Sequence, residues 1–332
     1  SRLENIWDRQ RLELINFAPT AANRHYTLMA DKTAAAFTIS DAFAMYLRLK
    51  SINRPATFET NTRRNLRYLT DCLGDVDICA LLPQLGGQFR DYLIARGLAT
   101  SSIKRIFSTV KAVLNLAKSE LGLNVNNPFS TTFIPQVGVV KSRSSIADAD
   151  IERIQTLCRK FDDDQRWLIA LISDTGLRLA EAAGLLVSDI NLHCPIPYVD
   201  IKPHPWRRLK TISSARQVPL IGGSLWAAQR ICETADGAYA FSRYCSEERT
   251  KANSASGALN KWLHTHIGNQ SVIHSFRHSF RDRLRAVECP SDVSDALGGW
   301  SAKGIGQRYG EGYKLNIKHQ WISKIEMLRS LD

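Results

Sequence analysis

Between Asn124 and Ser145 the helical periodicity of this chain stops. Asn-Val-Asn-Asn-Pro at 124–128 closes it, and Ser130–Ser145 holds Pro135, Gly138 and many small residues, the composition of a linker. A break of that kind inside 332 residues calls for two separate hydrophobic cores, one on each side. The hydrophobic content of 44% is enough to fill both. The expected division is an N-terminal extension over 1–35, a helical lobe over 36–130, a linker over 131–145, and a second lobe with a tail helix over 146–332.

In the first lobe the pattern is helical from Thr38 to Gly122. Thr57–Leu73 carries Arg63, Arg64 and Arg67 on a helix-like run, and Gln88–Arg96 reads as a further helix stopped by Gly97. Thr100 or Ser101 is expected to cap the next helix, because a hydroxyl there can accept an exposed backbone N–H. Ile103, Ile106, Phe107, Val110, Val113, Leu114 and Ala117 recur at helical spacing and predict a core-facing stripe. Lys104, Ser108, Lys111, Asn115 and Lys118 form another stripe, which suits a helix lying along a phosphate backbone or equally a solvated face.

The second lobe begins near Ala147. Trp167–Ser173 is an apolar run that Asp174-Thr175-Gly176 interrupts, while Tyr198–Lys202 and Arg207–Leu220 look extended, as a short sheet would. Asp162-Asp163-Asp164 reads as a solvated turn. After Tyr313, Ile317, Trp321, Ile325 and Leu328 predict an amphipathic tail helix. The fold class is therefore mainly α with a small β-sheet.

Charge narrows the partner. A formal net charge of +12 and a pI near 9.5 point to a polyanion. The seven cysteines, Cys72, Cys79, Cys158, Cys194, Cys232, Cys245 and Cys289, are scattered and never form Cys-x-x-Cys, which argues against a disulfide framework or a zinc site and for a reducing compartment. No apolar stretch approaches the roughly 18 residues that cross a bilayer. The opening, SRLENIWDRQ, does not read as a signal peptide. It begins on Ser, so whether a further domain precedes it stays open.

Several residues draw notice, each with an ordinary reading beside it. Arg178, in Thr-Gly-Leu-Arg-Leu-Ala-Glu, is suited to an ion pair with Glu181. His274 and Arg277 share one helix face, or simply line a polar one. Lys210 sits in a plausible hairpin, where an exposed turn lysine is commonplace. Trp300 and Tyr309 alone would be core aromatics.

Taken in order, these residues resemble the tyrosine recombinase family, also called the phage integrase family. The likeness covers roughly 36–325. Arg178 matches the first catalytic arginine and Glu181 the acidic residue that follows it. Lys210 matches the hairpin lysine within Lys-Thr-x-x-Ser-x-Arg-x-Val-Pro-Leu. His274 and Arg277 match the His-x-x-Arg box, Trp300 the position held by His or Trp, and Tyr309 the nucleophile. The resemblance implies a SAM-like helical core-binding domain and a mixed α/β catalytic domain, clasping a DNA duplex in a C shape. It also implies double-stranded DNA as partner, a homo-tetramer on two recombination sites that associates through the tail, and no metal or cofactor. A prokaryotic or phage-encoded protein acting on DNA in the cytoplasm, on a mobile element or prophage, fits it. Removing residues 316–332 is then expected to abolish recombination while sparing binding at a single site.

The chemistry accounts for these residue types. Guanidiniums such as Arg178 and Arg277 clamp the equatorial oxygens of a phosphodiester as charge builds on them. A tyrosine, with a pKa of about 10, needs a base to lose its proton, and His274 is the candidate. The departing sugar oxygen must gain a proton, and Lys210 is the candidate acid. The indole N–H of Trp300 suits a phosphate oxygen. Glu181 is expected to orient an arginine or histidine without touching DNA. Arg63, Arg64, Arg67, Lys104 and Lys111 are candidate phosphate contacts.

Two features depart from the family pattern. Leu-Gly-Gly-Trp stands where Leu-Gly-His is usual, placing an extra Gly before Trp300, and Gly304 and Gly306 precede the nucleophile. Tyr313 is a rival nucleophile, disfavoured by its distance from Trp300, and His278 is expected to be structural. A type IB topoisomerase-like relaxing enzyme and an inactive DNA-binding relative remain the alternatives.

Overall fold

The computed structural model describes residues 36–136, 145–211, 214–300 and 312–329. The N-terminal extension and Tyr309 lie outside the described residues. Contacts separate the chain into two units, Ser1–Val140 and Lys141–Asp332.

The first unit packs α1 (Ile39–Lys50), α2 (Ala56–Leu73), a 3-10 turn at Ile78–Ala80, α3 (Leu85–Ala95) and α4 (Thr100–Leu121). Thr38 starts α1 with a reciprocal cap: its hydroxyl accepts from the Asp41 N–H at 3.3 Å and its own N–H donates to the Asp41 carboxylate at 3.0 Å. The apolar stripe of α4 is buried throughout, as its spacing predicts. Phe107 of that stripe meets Phe89 and Phe129 with ring centroids 5.4 and 5.9 Å away.

The hydroxyl cap expected on α4 is absent. Ala99 occupies the cap position, and Thr100 lies within the first turn with its hydroxyl donated to the Pro135 carbonyl at 3.2 Å. Its polar group is engaged on the linker segment instead. Arg64, Arg67 and Lys104 are exposed and Lys111 is half-buried, while exposed Arg63 is paired to Glu59 at 2.7 Å.

The second unit holds α5 (Asp148–Phe161), α6 (Asp164–Thr175), α7 (Leu179–Ala183), a three-stranded sheet, α8 (Gly222–Thr234), α9 (Ala252–Ile267), α10 (Ser275–Ala286), α11 (Ser291–Gly298) and α12 (Leu315–Arg329). The apolar run of α6 is its centre: Leu168–Ser173 is buried, packed between α5, α8 and α10. Buried Arg283 of α10 adds a polar tie, donating to the Asp174 carboxylate at 3.1 Å. The acidic run is a solvent-accessible turn whose three carboxylates are also engaged. Asp162 takes a left-handed conformation (φ 47°) and accepts from Trp167 Nε1 at 2.7 Å, Asp163 caps α6, and Asp164 accepts from Arg243 at 2.6 Å.

The sheet is antiparallel in the order β1 (Ile190–Asn191), β2 (Tyr198–Ile201), β3 (Arg216–Pro219). Among the described residues of the long extended run expected at Arg207–Leu220, only Arg216–Pro219 forms a strand, because side-chain and turn hydrogen bonds hold the start of the β2–β3 connection in a loop. Register pairs Ile201 with Arg216 and Val199 with Val218. An arginine therefore stands on the buried face of the sheet among aliphatic residues, and that placement requires a buried counter-charge.

The tail helix α12 packs against β3 and α10 of its own chain. Ile322 and Ile325 are its buried apolar residues, with buried Lys318 donating to the Gln217 carbonyl at 3.2 Å and Ile317 and Trp321 partly covered; the side chain of Leu328 lies outside the described residues. Among the described residues no helix is long and apolar enough to cross a membrane, and all seven cysteines are free thiols.

Candidate active site

Gly176 closes α6 in the left-handed region at φ 60°, and a Cβ there would stand 2.4 Å from the Phe280 ring. That tight turn places Arg178 at the start of α7 and leaves the Gly176 carbonyl available to accept from Arg277 Nη1 at 2.7 Å.

Glu181 organises the first arginine. It is 3% exposed. Its carboxylate accepts from the Arg178 guanidinium, from the Arg178 N–H at 3.0 Å and from Arg216 Nη2 at 3.0 Å. Burial raises the Glu181 pKa, but the Arg216 charge and the hydrogen bonds from Arg216 and Arg178 outweigh it, leaving the group below the ordinary range and ionised. Arg178 also donates to Ser214 Oγ at 3.1 Å and to the Gly299 carbonyl at 2.9 Å. One guanidinium thus joins α7, the β2–β3 connection and the residue before Trp300.

The extra glycine before Trp300 acquires a reason here. The Trp300 ring folds onto Gly298, where a Cβ would lie 1.9 Å from a ring carbon. Gly299 is left-handed at φ 60°, and its Cβ would stand 2.7 Å from Arg216 Nη1. Both positions exclude a side chain, so the pair is a fitted turn at the end of α11.

Arg277 is 5% exposed, and its guanidinium stacks 4.5 Å from the Trp300 ring, with Arg281 at 4.6 Å from the same ring. Arg277 Nη2 is buried without a hydrogen-bond partner. Burial, then the charges of Arg178 and Arg216, push its pKa down to about 9. It remains a cation at neutral pH, and an anion beside it would relieve both the desolvation and the repulsion.

The remaining candidates are placed less tightly. His274 is exposed at the start of α10, one turn before Arg277, with its ring 5.4 Å from that of His278. His278 is itself exposed on the same helix. Lys210 is exposed on the β2–β3 connection. Tyr313 donates its hydroxyl to Asp292 of α11, and that carboxylate, with burial, raises the phenol pKa. The five candidate phosphate contacts of the first unit belong to a separate body. Among the described residues no group of three or more His, Cys, Asp or Glu side chains could hold a metal ion.

Sequence reasoning missed Arg216, although it stands in the quoted hairpin motif. Its signal was an arginine in register with the inward residues of a strand.

Comparison with known proteins gives this geometry its class. Residues 145–314 match the phage integrase family, half of the chain, and the protein belongs to that family. It is accordingly an enzyme of the tyrosine-type site-specific DNA recombinases. The fold is similar to that of the Tn1549 transposon integrase in complex with a circular intermediate DNA, at 17% identity over 89% of this chain and 99% of that one, with a TM-score of 0.66. It is also similar to a lambda integrase tetramer bound to a Holliday junction, at 15% identity over 92% and 89% of the two chains, with a TM-score of 0.61. A lambda integrase dimer on a core site gives 16% identity, 92% and 86% coverage and a TM-score of 0.63. No curated protein sequence matches the chain.

Proposed function

We propose that this recombinase joins Tyr309 covalently to a DNA 3′-phosphate. The observation that carries the reading is Arg277: buried, with Nη2 unpartnered, and facing the charges of Arg178 and Arg216. A phosphodiester supplies the anion that such a donor lacks. Arg178 and Arg277 clamp its non-bridging oxygens, and preorganised donors of this kind stabilise charge as it develops. His274 takes the phenol proton as the Tyr309 oxygen bonds to phosphorus. The bond from phosphorus to the 5′-oxygen breaks, and Lys210 gives that oxygen a proton. The products are a 3′-phosphotyrosyl bond and a free 5′-hydroxyl, and the conserved bond energy permits religation without ATP. Trp300 packs beside the clamp and offers its indole N–H to a phosphate oxygen. The rival Tyr313 is disfavoured, because hydrogen bonding to Asp292 makes its phenol a weaker acid.

Strand exchange then passes through a Holliday junction between two sites held by a homo-tetramer. Support comes from the lambda integrase tetramer solved on such a junction. Residues 36–130 and 146–332 are two lobes that each contact duplex DNA, the first through Arg63, Arg64, Arg67, Lys104 and Lys111. The tail is the contact between protomers, with Met327, 65% exposed late in α12, as the apolar residue open to a neighbour. The DNA belongs to a mobile element or prophage in a prokaryotic cytoplasm.

A nicked suicide duplex carrying the repeats that flank the gene tests the reading. Wild type should form a denaturation-resistant protein–DNA adduct, and Tyr309→Phe should form none. An adduct that survives Tyr309→Phe refutes it.

A further inference from the structure

Lys210 has a structural root in the residues just before it. The β2–β3 connection opens with a tight turn in which the His204 N–H donates to the Arg207 carbonyl at 3.1 Å and the Arg207 N–H to the His204 carbonyl at 3.0 Å. Two side chains of this turn reach the backbone at α7. Trp206 Nε1 donates to the Gly184 carbonyl at 3.1 Å. Arg207, 3% exposed, donates through Nη1 to the Glu181 carbonyl and through Nη2 to the Lys202 carbonyl at 2.7 Å. The Arg207 side chain crosses Gly184 so closely that a Cβ there would stand 2.8 Å from Arg207 Cδ. On the other side, the His204 ring stacks on Trp206 at 4.8 Å and 9°, and its Nε2 lies 2.8 Å from the buried Asp189 carboxylate.

Glu181 therefore has two separate tasks. Its carboxylate holds Arg178, and its carbonyl holds Arg207, three residues before Lys210. A buried guanidinium bridging two carbonyls is a rigid link, because its fork is planar and directional. We propose that Arg207 is a positioning residue for DNA cleavage: it fixes the root of the Lys210 segment to Glu181, so that proton donor and phosphate clamp share one reference point. The inference rests on the reading of Lys210 as the general acid.

The test uses the leaving group. When sulfur replaces the bridging 5′-oxygen, phosphorus–sulfur cleavage expels a thiolate, which needs no proton because a thiol is far more acidic than an alcohol. A defect confined to proton delivery then disappears. Adduct formation by the full chain is timed on 5′-oxygen and 5′-sulfur nicked duplexes, with Lys210→Ala as reference. Arg207→Lys keeps the charge and loses the fork. It should slow cleavage of the oxygen substrate by about tenfold or more, within the usual reach of general acid catalysis, and should run at the wild-type rate on sulfur. Purely structural damage would slow both substrates alike.

If sulfur rescues Lys210→Ala but not Arg207→Lys, the positioning role is overturned and the general-acid reading stands. If sulfur fails to rescue Lys210→Ala, the general-acid reading falls and the positioning role falls with it. A wild-type rate for Arg207→Lys on oxygen also overturns the role. Should Arg207→Lys not fold, Arg207→Gln decides by the same criteria, since it keeps a planar N–H donor and loses the fork that bridges the Glu181 and Lys202 carbonyls.

Discussion

Glu181 is the residue on which the clamp depends. Its carboxylate is shared by Arg178 and Arg216 in a buried setting. Glu181→Gln would leave the Arg216 guanidinium buried without its counter-charge, a loss of about 3–5 kcal/mol for a pair of this kind. The pH dependence has a definite sign. The folded pKa lies below the unfolded value of about 4.3, so the stabilisation is full above that value and is lost as pH falls through the folded pKa. Urea unfolding from neutral pH into the acid range should show a steeper fall for wild type than for Glu181→Gln. Parallel curves would mean that the carboxylate is not held as described. Arg277 has the opposite need, a cation awaiting an anion. Sulfate should raise the melting temperature of wild type by mass action, and Arg277→Gln should lose most of that rise. An undiminished rise would place the anion elsewhere.

At the scale of elements, the turn from α11 to Trp300 joins the two arginines. Gly299 is left-handed and its carbonyl accepts from Arg178. Gly299→Ala should cost about 1–2 kcal/mol from the backbone alone, more where the Cβ displaces Arg216, and should lower the rate of adduct formation further by shifting the clamp. Thermal melts and adduct timing read the two effects separately, and an alanine variant with wild-type values in both would contradict the fitted turn. This turn also shows what the sequence could and could not disclose. The α4 stripe and the tail helix were legible because helical spacing repeats locally, and the order of Arg178, Lys210, His274, Arg277, Trp300 and Tyr309 was legible as a motif set. The links among them were not. Arg178 meets Gly299, and Glu181 meets Arg216, across long stretches of chain, where no periodicity operates. The loop before Arg216 reads as extended because its composition suits a strand, but the bonds of Arg207 and Trp206 to the α7 backbone hold it otherwise. Thr100 has the chemistry of a cap, and only the fold reveals its prior engagement with Pro135.

For the molecule as a whole, the net charge of +12 makes DNA binding a matter of counterion release. Binding should weaken steeply with salt, and Lys104→Ala with Lys111→Ala should reduce the slope of log affinity against log salt by about one for each phosphate that is no longer neutralised. An unchanged slope would remove these lysines from the interface. Deleting residues 316–332 is a poor test of assembly, because α12 supplies Ile322 and Ile325 to the core of its own unit. Met327→Glu is the cleaner variant: it should impair pairing of two sites and leave single-site binding intact. The central claim is that one phenol becomes bonded to DNA. The tryptic peptide that follows Arg308 runs from Tyr309 to Lys314 and contains both rival tyrosines. Fragmentation of that peptide, from adduct trimmed by nuclease, should place the nucleotide mass on Tyr309; a nucleotide on Tyr313, or an unmodified peptide from a covalent complex, would contradict the account.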